Sequence, residues 1–280
     1  MPSPQRMQPR PAEPLLQYYN HDDPPMHRVA DPAEPERGIG VNELSRIFAR
    51  IVVINLPYRS DRRREMAAQL SRVGLHLNKS PVQLFPAVRP GTPQGFPSIG
   101  ARGCFLSHLE VLRGARMDGV ERLLILEDDC DFASGSRDAL NARFARLADV
   151  QKWDLCYGGH RMPEIMDADA GLWRTLSSDT AIMTTHCVGF SRRAIELAVP
   201  YLEAMISRPP GDALGGPMHV DGAYCWFRRE YPSLVTAAAI PPIAVHRSSR
   251  TDVHDYSWYD RSRLLRPMVS ALRRMRNRIA

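Results

Sequence analysis

The apolar and polar positions along the chain fall into three stretches. Over residues 1 to about 40 there is no period: proline, glutamine and charge predominate and aliphatic residues are sparse. Such a segment cannot offset its ordering entropy by burial, which predicts a disordered leader over residues 1–47. The first sustained apolar run is RIVVINL, residues 50–56, continuous and β-branched as in a strand covered on both faces. Pro57 ends it, Ser60 or Asp61 is placed to cap a helix, and Met66, Leu70 and Val73 recur at helical spacing up to Gly74. A short strand is expected over 82–85. A helix over about 101–117 follows, with Phe105, Leu109 and Leu112 on one face and Gly119 marking its end. RLLILE then reads as a second buried strand, and it runs directly into carboxylates at Glu127, Asp128, Asp129 and Asp131. Further on the pattern predicts a helix over 136–147, a strand over 153–159 and an irregular loop or hairpin over 160–178. A strand over 185–191, a helix over 192–205, a helix entered near Asp221 and a last strand with its exit loop over 234–247 complete it. Strands alternating with helices over about 200 residues predict one layered α/β domain, bounded at 48–255. No internal repeat interrupts it.

Composition changes this picture little and charge changes it more. At 280 residues, 44% hydrophobic and 24% charged, the chain lies near the globular average, which excludes a wholly disordered protein, a collagen or a coiled-coil rod. The net charge is +6, and only Lys79 and Lys152 are lysines, so the cationic side chains are nearly all arginine, the side chain suited to bidentate phosphate contacts. Residues 261–280 carry seven arginines and no acid, so +6 overall less +7 for this segment leaves −1 for the rest. The basicity therefore belongs to a C-terminal tail, 256–280, and with carboxylates in the expected cleft no nucleic-acid partner is expected. Leu264, Leu265, Met268, Leu272 and Met275 interleave with those arginines, as in a basic amphipathic helix able to lie on an anionic membrane or to pack on its own domain.

Five cysteines at wide spacing, without a CxxC pair, point to a reducing compartment. The first residues lack the apolar region of a secretory signal, and the apolar stretch 234–245 is short and broken by Pro241 and Pro242. The expectation is a soluble cytoplasmic protein, at most peripheral at the inner face of the cytoplasmic membrane.

The chemistry-bearing signal is Glu127, Asp128 and Asp129 at the end of a buried strand, joined by Asp131. Carboxylates so close repel one another, and a divalent cation with hard oxygen ligands, Mg²⁺ or Mn²⁺, would relieve that and could bridge a diphosphate. The alternative is a solvated acidic turn. Asn55 with Arg59, Arg62, Arg63 and Arg64 forms a second group at a helix start, an anion site in which at most two of Arg62 to Arg64 can face a phosphate. Ser107 and His108 lie in the middle of an apolar helix. Asp221 is a general base or a helix cap, and His219, His246 and His254 are candidate metal ligands without tight spacing.

Six segments in order resemble glycosyltransferase family 25, the bacterial lipopolysaccharide glycosyltransferases and collagen galactosyltransferases: VVINLPYRSDRR, GARGCFLSHLEVLRGA, LLILEDDCDF, HCVGFSRRAIE, HVDGAYCWF and PPIAVHRSS. They span about residues 50–250. The resemblance implies a GT-A-like (Rossmann-like) single domain with a mixed central sheet. It implies a nucleotide-sugar donor, UDP-galactose or another UDP-hexose, a glycan or glycolipid acceptor such as lipopolysaccharide, and inversion at the anomeric carbon. By the same resemblance Glu127 and Asp129 hold Mn²⁺ or Mg²⁺, while Asn55, Arg62, Ser107, His108, Glu127 and Asp128 bind the donor and Asp221 is the base. The family often has another residue at the position of His246. Two other readings remain: a noncatalytic nucleotide-sugar-binding protein, against which the intact acidic triplet argues, and a sugar nucleotidyltransferase, against which the absence of a GxGxxRxxP loop after the first strand argues.

Overall fold

The structure is a computed structural model that describes residues 42–150, 152–162 and 172–247. Its first element is α1 (Glu43–Ile47), capped by the Asn42 side chain, which accepts from the Ser45 amide, and anchored by the fully buried Leu44. This helix lies ahead of the domain boundary expected at residue 48. Leu44, Ile47 and Phe48 are spaced as on one helical face, a signal too short to stand out beside the polar leader.

β1 (Arg50–Asn55), α2 (Ser60–Arg72), β2 (Val82–Pro86) and α3 (Ile99–Met117) follow as the apolar pattern predicts. The α2 cap differs: Arg59 holds the N-cap position without capping the helix through its side chain, which pairs with Asp61 instead. Ser98 caps α3 by accepting the Ala101 amide. β3 (Arg122–Glu127) turns at Asp128 and Asp129 into the short β4 (Cys130–Phe132), which precedes α4 (Arg137–Ala145) and β5 (Leu155–Arg161). β6 (Leu172–Leu176) is a strand where the sequence suggested a loop or hairpin, and β7 (Met183–Ser191), α5 (Arg192–Ser207), α6 (Val220–Glu230), β8 (Thr236–Ile240) and β9 (Ala244–His246) complete the order.

Among the described residues nine strands form one mixed sheet, ordered β2-β1-β3-β7-β5-β8-β6, with β4 paired to β9 and β9 to β5 at the rim. β1 lies parallel between β2 and β3, while β7 is antiparallel to both β3 and β5. Alternation along β1 sends Val52 and Ile54 to a core with Phe105, Ile195 and Tyr224 of α3, α5 and α6. Ile51 and Val53 face the opposite core, with Leu44, Met66, Leu70 and Phe144 of α1, α2 and α4. Both faces of the sheet are thus covered by helices, which is why β1 and β3 read as continuous apolar runs rather than alternating ones. The α/β class and mixed sheet expected from the sequence are present. No described helix is long and apolar enough to cross a membrane. The leader to residue 41 and the arginine-rich tail lie outside the described residues.

This topology positions the site. Ile54 pairs with Glu127, so the carboxyl ends of β1 and β3 stop side by side, and Asn55 and Asp128 emerge together. The start of antiparallel β7, the end of β5 and the β4–β9 arm reach the same edge. In open α/β sheets that edge is where ligands bind.

Candidate active site

The Arg62 guanidinium is the electrostatic centre of this edge. On α2, Arg62, Met66 and Leu70 fall at four-residue intervals and all turn inward, whereas Arg63 is half-buried and Arg64 exposed. Arg62 Nη1 lies 2.8 Å from Asp128 Oδ1 and 3.2 Å from Asp129 Oδ2. Asn55 Nδ2 donates to Asp128 Oδ2 at 2.7 Å and to the Arg59 carbonyl at 3.3 Å. Both partners of that amide are acceptors, which fixes its nitrogen there and leaves Oδ1 as a buried acceptor with no hydrogen-bond partner among the described residues.

Asp128 thus has one oxygen on Asn55 and the other on Arg62. Its side chain thereby orients two further donor-binding candidates, Asn55 and Arg62. Burial raises its pKa, with Arg62 opposing that and Asp129 adding to it. Asp129 behaves differently: burial acts to raise it, but the His246 hydrogen bond and the Arg62 charge prevail and hold its carboxyl below the usual range. His246 Nε2 is 3.3 Å from Asp129 Oδ2, and this partner lifts the imidazole above its usual pKa. Asp129 Oδ1 is buried and has no hydrogen-bond partner among the described residues.

Glu127 faces another set of groups. Thr185 of β7 donates to its Oε1 at 2.7 Å, and His108 Nε2 lies 3.5 Å from the same atom. Burial acts to raise Glu127, and His108 and Thr185 draw it below the usual carboxylate range. His108 Nδ1 meets the Tyr224 hydroxyl at 3.0 Å, and its Nε2 has no hydrogen-bond partner among the described residues. Cys104, one helical turn before His108, is half-buried, and burial together with Glu127, Asp129, Asp221 and Asp128 pushes its thiol well up.

Ser107, predicted beside the donor, bonds to the backbone on both sides. Its hydroxyl donates to the Gly103 carbonyl at 2.7 Å and accepts the Val88 amide at 2.8 Å, with the side chain fully buried. A Cβ on Gly103 would stand 2.7 Å from the Val88 carbonyl oxygen. The glycine and serine of GCFLSH therefore let α3 approach the loop after β2.

Asp221 stands in the first turn of α6, and its carboxylate accepts from the Thr184 amide at 3.1 Å and the Gly222 amide at 2.8 Å. Thr184 has φ of 69°, a strained value for a β-branched residue, so Asp221 holds the entry of β7 in place.

Arg247, absent from the sequence reading, ties the rim together. It makes a bidentate pair with Asp131, reaches Glu65 at 2.6 Å, and its amide donates to the Asp129 carbonyl at 2.7 Å. The four carboxylates are therefore balanced in part by Arg62, Arg247 and the histidines, so repulsion alone does not require a cation. The donor chemistry nevertheless fits a hard cation at one point: the unsatisfied, buried Asp129 Oδ1 is the kind of oxygen that Mg²⁺ or Mn²⁺ accepts. Asp128, with both oxygens engaged, does not fit that role. His246 is brought to Asp129. His219 occupies the N-cap of α6, and His254 lies outside the described residues.

No protein-family model matches the chain. The chain is similar to the inactive glycosyltransferase 25 family member 3 of Homo sapiens, 33% identical over 144 residues, which is 45% of this chain and 24% of that protein. It is also similar to the Mus musculus protein of the same name, 30% identical over 175 residues, 54% of this chain and 28% of that one. The chain thus spans about a quarter of the length of the curated relatives it matches. Among solved structures, one described as mannose-1-phosphate geranyltransferase from Thermus thermophilus aligns with a TM-score of 0.32 and 13% identity over 67% of this chain and 58% of that chain.

Proposed function

We propose that this chain is a nucleotide-sugar-dependent glycosyltransferase of family 25 with a GT-A-like fold. It transfers a hexose, galactose from UDP-galactose, with inversion to a hydroxyl of a cell-envelope glycan such as lipopolysaccharide. The observation that carries this reading is the pair of buried, unsatisfied acceptors, Asn55 Oδ1 and Asp129 Oδ1, on side chains joined by Arg62 and Asp128 at the carboxyl edge of β1 and β3. Buried polar atoms are seldom left without partners except where a ligand completes them.

Asn55 Oδ1 accepts a donor group of the nucleotide, and Arg62 offers positive charge toward its phosphates while keeping Asp128 and Asp129 ionised. Asp129 and Glu127 would hold Mn²⁺ or Mg²⁺, which when bound supplies charge to offset that of the departing diphosphate. Asp221 accepts the proton of the acceptor hydroxyl as that oxygen forms its bond to the anomeric carbon. The bond to the diphosphate oxygen breaks on the opposite face, and its electron pair leaves with the nucleotide. Each Asp221 oxygen takes one backbone N–H, which leaves lone-pair capacity for that proton. The arginine-rich tail would hold the enzyme at the inner, anionic face of the cytoplasmic membrane, close to a lipid-linked acceptor.

A second reading, a noncatalytic nucleotide-sugar-binding protein, is favoured by two observations: the matched relatives are named inactive, and Asp128 is already neutralised internally. Calorimetry with a panel of nucleotide sugars in Mn²⁺, paired with a measurement of free nucleoside diphosphate, separates them. Transfer predicts both binding and release, the binder predicts binding without release, and no binding of any donor contradicts both.

A further inference from the structure

The carboxylates of the triplet do not converge on a single partner set. Asp129 is engaged by Arg62 and His246, whereas Glu127 turns to α3, where Cys104 and His108 lie one helical turn apart. One ligand atom each from Cys104, His108 and Glu127 lies within 4.8 Å of the others. Sulfur, imidazole nitrogen and carboxylate oxygen are together a borderline-soft set, unlike the oxygen set suited to Mg²⁺ or Mn²⁺.

We propose that Cys104, His108 and Glu127 form a three-ligand site for Zn²⁺, which shares Glu127 with the hard-cation position at Asp129. The independent observation is His108: its side chain is fully buried, yet Nε2 has no hydrogen-bond partner among the described residues, and it points toward Glu127 Oε1 at 3.5 Å. Tetrahedral zinc with bonds of about 2.0–2.3 Å sets its ligand atoms roughly 3.3–3.6 Å apart, so the His108–Glu127 separation already suits it. Cys104 needs only a side-chain adjustment. The Tyr224 hydroxyl at Nδ1 supplies the outer contact that fixes ring orientation, accepting the Nδ1 proton so that Nε2 presents its lone pair.

Charge also matches. A Cys104 thiolate and the Glu127 carboxylate cancel the two positive charges of the ion, and the thiol proton leaves to solvent on coordination. Glu127, 22% exposed, and the half-buried Cys104 are the members of the set that solvent reaches, and His108 lies behind them. With three protein ligands the fourth position stays open, the arrangement of zinc sites that take water or another small ligand. Because His108 and Glu127 are also donor-binding candidates, Zn²⁺ here competes with the nucleotide sugar.

Cobalt titration of the full chain tests the site without reference to sugar transfer. One equivalent of Co²⁺ is expected to give the thiolate-to-cobalt charge-transfer band and the intense visible bands of tetrahedral coordination. Zn²⁺ should abolish both, while an equimolar amount of Mg²⁺, a weak competitor for a sulfur and nitrogen set, should leave them unchanged. Cys104→Ser should lose the charge-transfer band and Cys225→Ser keep it, with folding checked by circular dichroism. In unsubstituted protein Zn²⁺ should slow alkylation of Cys104 at least tenfold and leave Cys225 unaffected. A missing charge-transfer band, a band that survives in Cys104→Ser, or equal alkylation with and without Zn²⁺ would overturn the proposal.

Discussion

Arg62 illustrates how much of the site rests on one side chain. It faces Asp128 and Asp129 at 2.8 and 3.2 Å, and all three side chains are less than a tenth exposed. Removing one partner of such a group leaves buried charge uncompensated, at about 3–5 kcal/mol. Arg62→Gln should therefore lower unfolding free energy in urea by about that much, and Asp128→Asn in the same chain should recover a large part of it. A loss below about 1 kcal/mol for the single substitution would contradict the pairing. Asp221 poses a different question, since it both holds Thr184 and is the proposed base. Asp221→Asn should abolish turnover and lower stability by about 1 kcal/mol. Thr184→Gly added to it should restore stability and not turnover, and restored turnover would mean that Asp221 acts only through the backbone. At this scale the sequence was partly readable. Arg62 could be singled out among its neighbours because it shares the helical phase of Met66 and Leu70. The unsatisfied acceptors of Asn55 and Asp129 could not, because they arise only once β1 and β3 stop in register.

The elements differ in how legible they were, and the reason is burial. β1 and β3, covered on both faces, carry short continuous apolar runs ended by Pro57 and by the carboxylates, the length and bounds of a buried strand. β4 and β9 have three residues each and pair only with one another and with β5, so nothing local marks them, and Arg247 and its bidentate Asp131 contact went unseen with them. The β4–β9 arm carries a pH-dependent contact, His246 with Asp129. His246 is raised above its usual 6.5, so its contribution is fully present below that value and lost as pH rises through the raised one. Asp129 is held below its usual 3.8, so its contribution is present above that and lost as pH falls through the depressed value. The contact therefore stabilises between the two. His160, lowered mainly by burial, loses stability as pH falls equally in wild type and variant, and His186, lowered by burial and further by the His246 charge, loses less of it in the variant. The difference in melting temperature between wild type and His246→Gln should be largest near pH 5–6 and shrink as pH rises above 6.5. With His246 39% exposed, screening keeps the effect at or below about 1 kcal/mol. A difference that grows toward alkaline pH would contradict the contact.

For the whole molecule, charge and chemistry are separated along the chain. The +6 total is more than accounted for by the last twenty residues, which leaves an acid-centred domain whose carboxylates are met by particular arginines. Deleting residues 261–280 should leave nucleoside diphosphate release unchanged and remove most binding to anionic liposomes, at about 1 kcal/mol per arginine near the surface. Undiminished sedimentation with those liposomes would show that the tail does not make the contact. The fold itself puts Asn55, Arg62, Asp128 and Asp129 at one sheet edge, and the central claim is that this edge carries out sugar transfer. The direct measurement is release of nucleoside diphosphate from UDP-galactose by purified protein in Mn²⁺, for wild type and Asp129→Asn at matched folding. The account predicts turnover in wild type and a loss of roughly two orders of magnitude in the variant. Equal rates in the two proteins would contradict it.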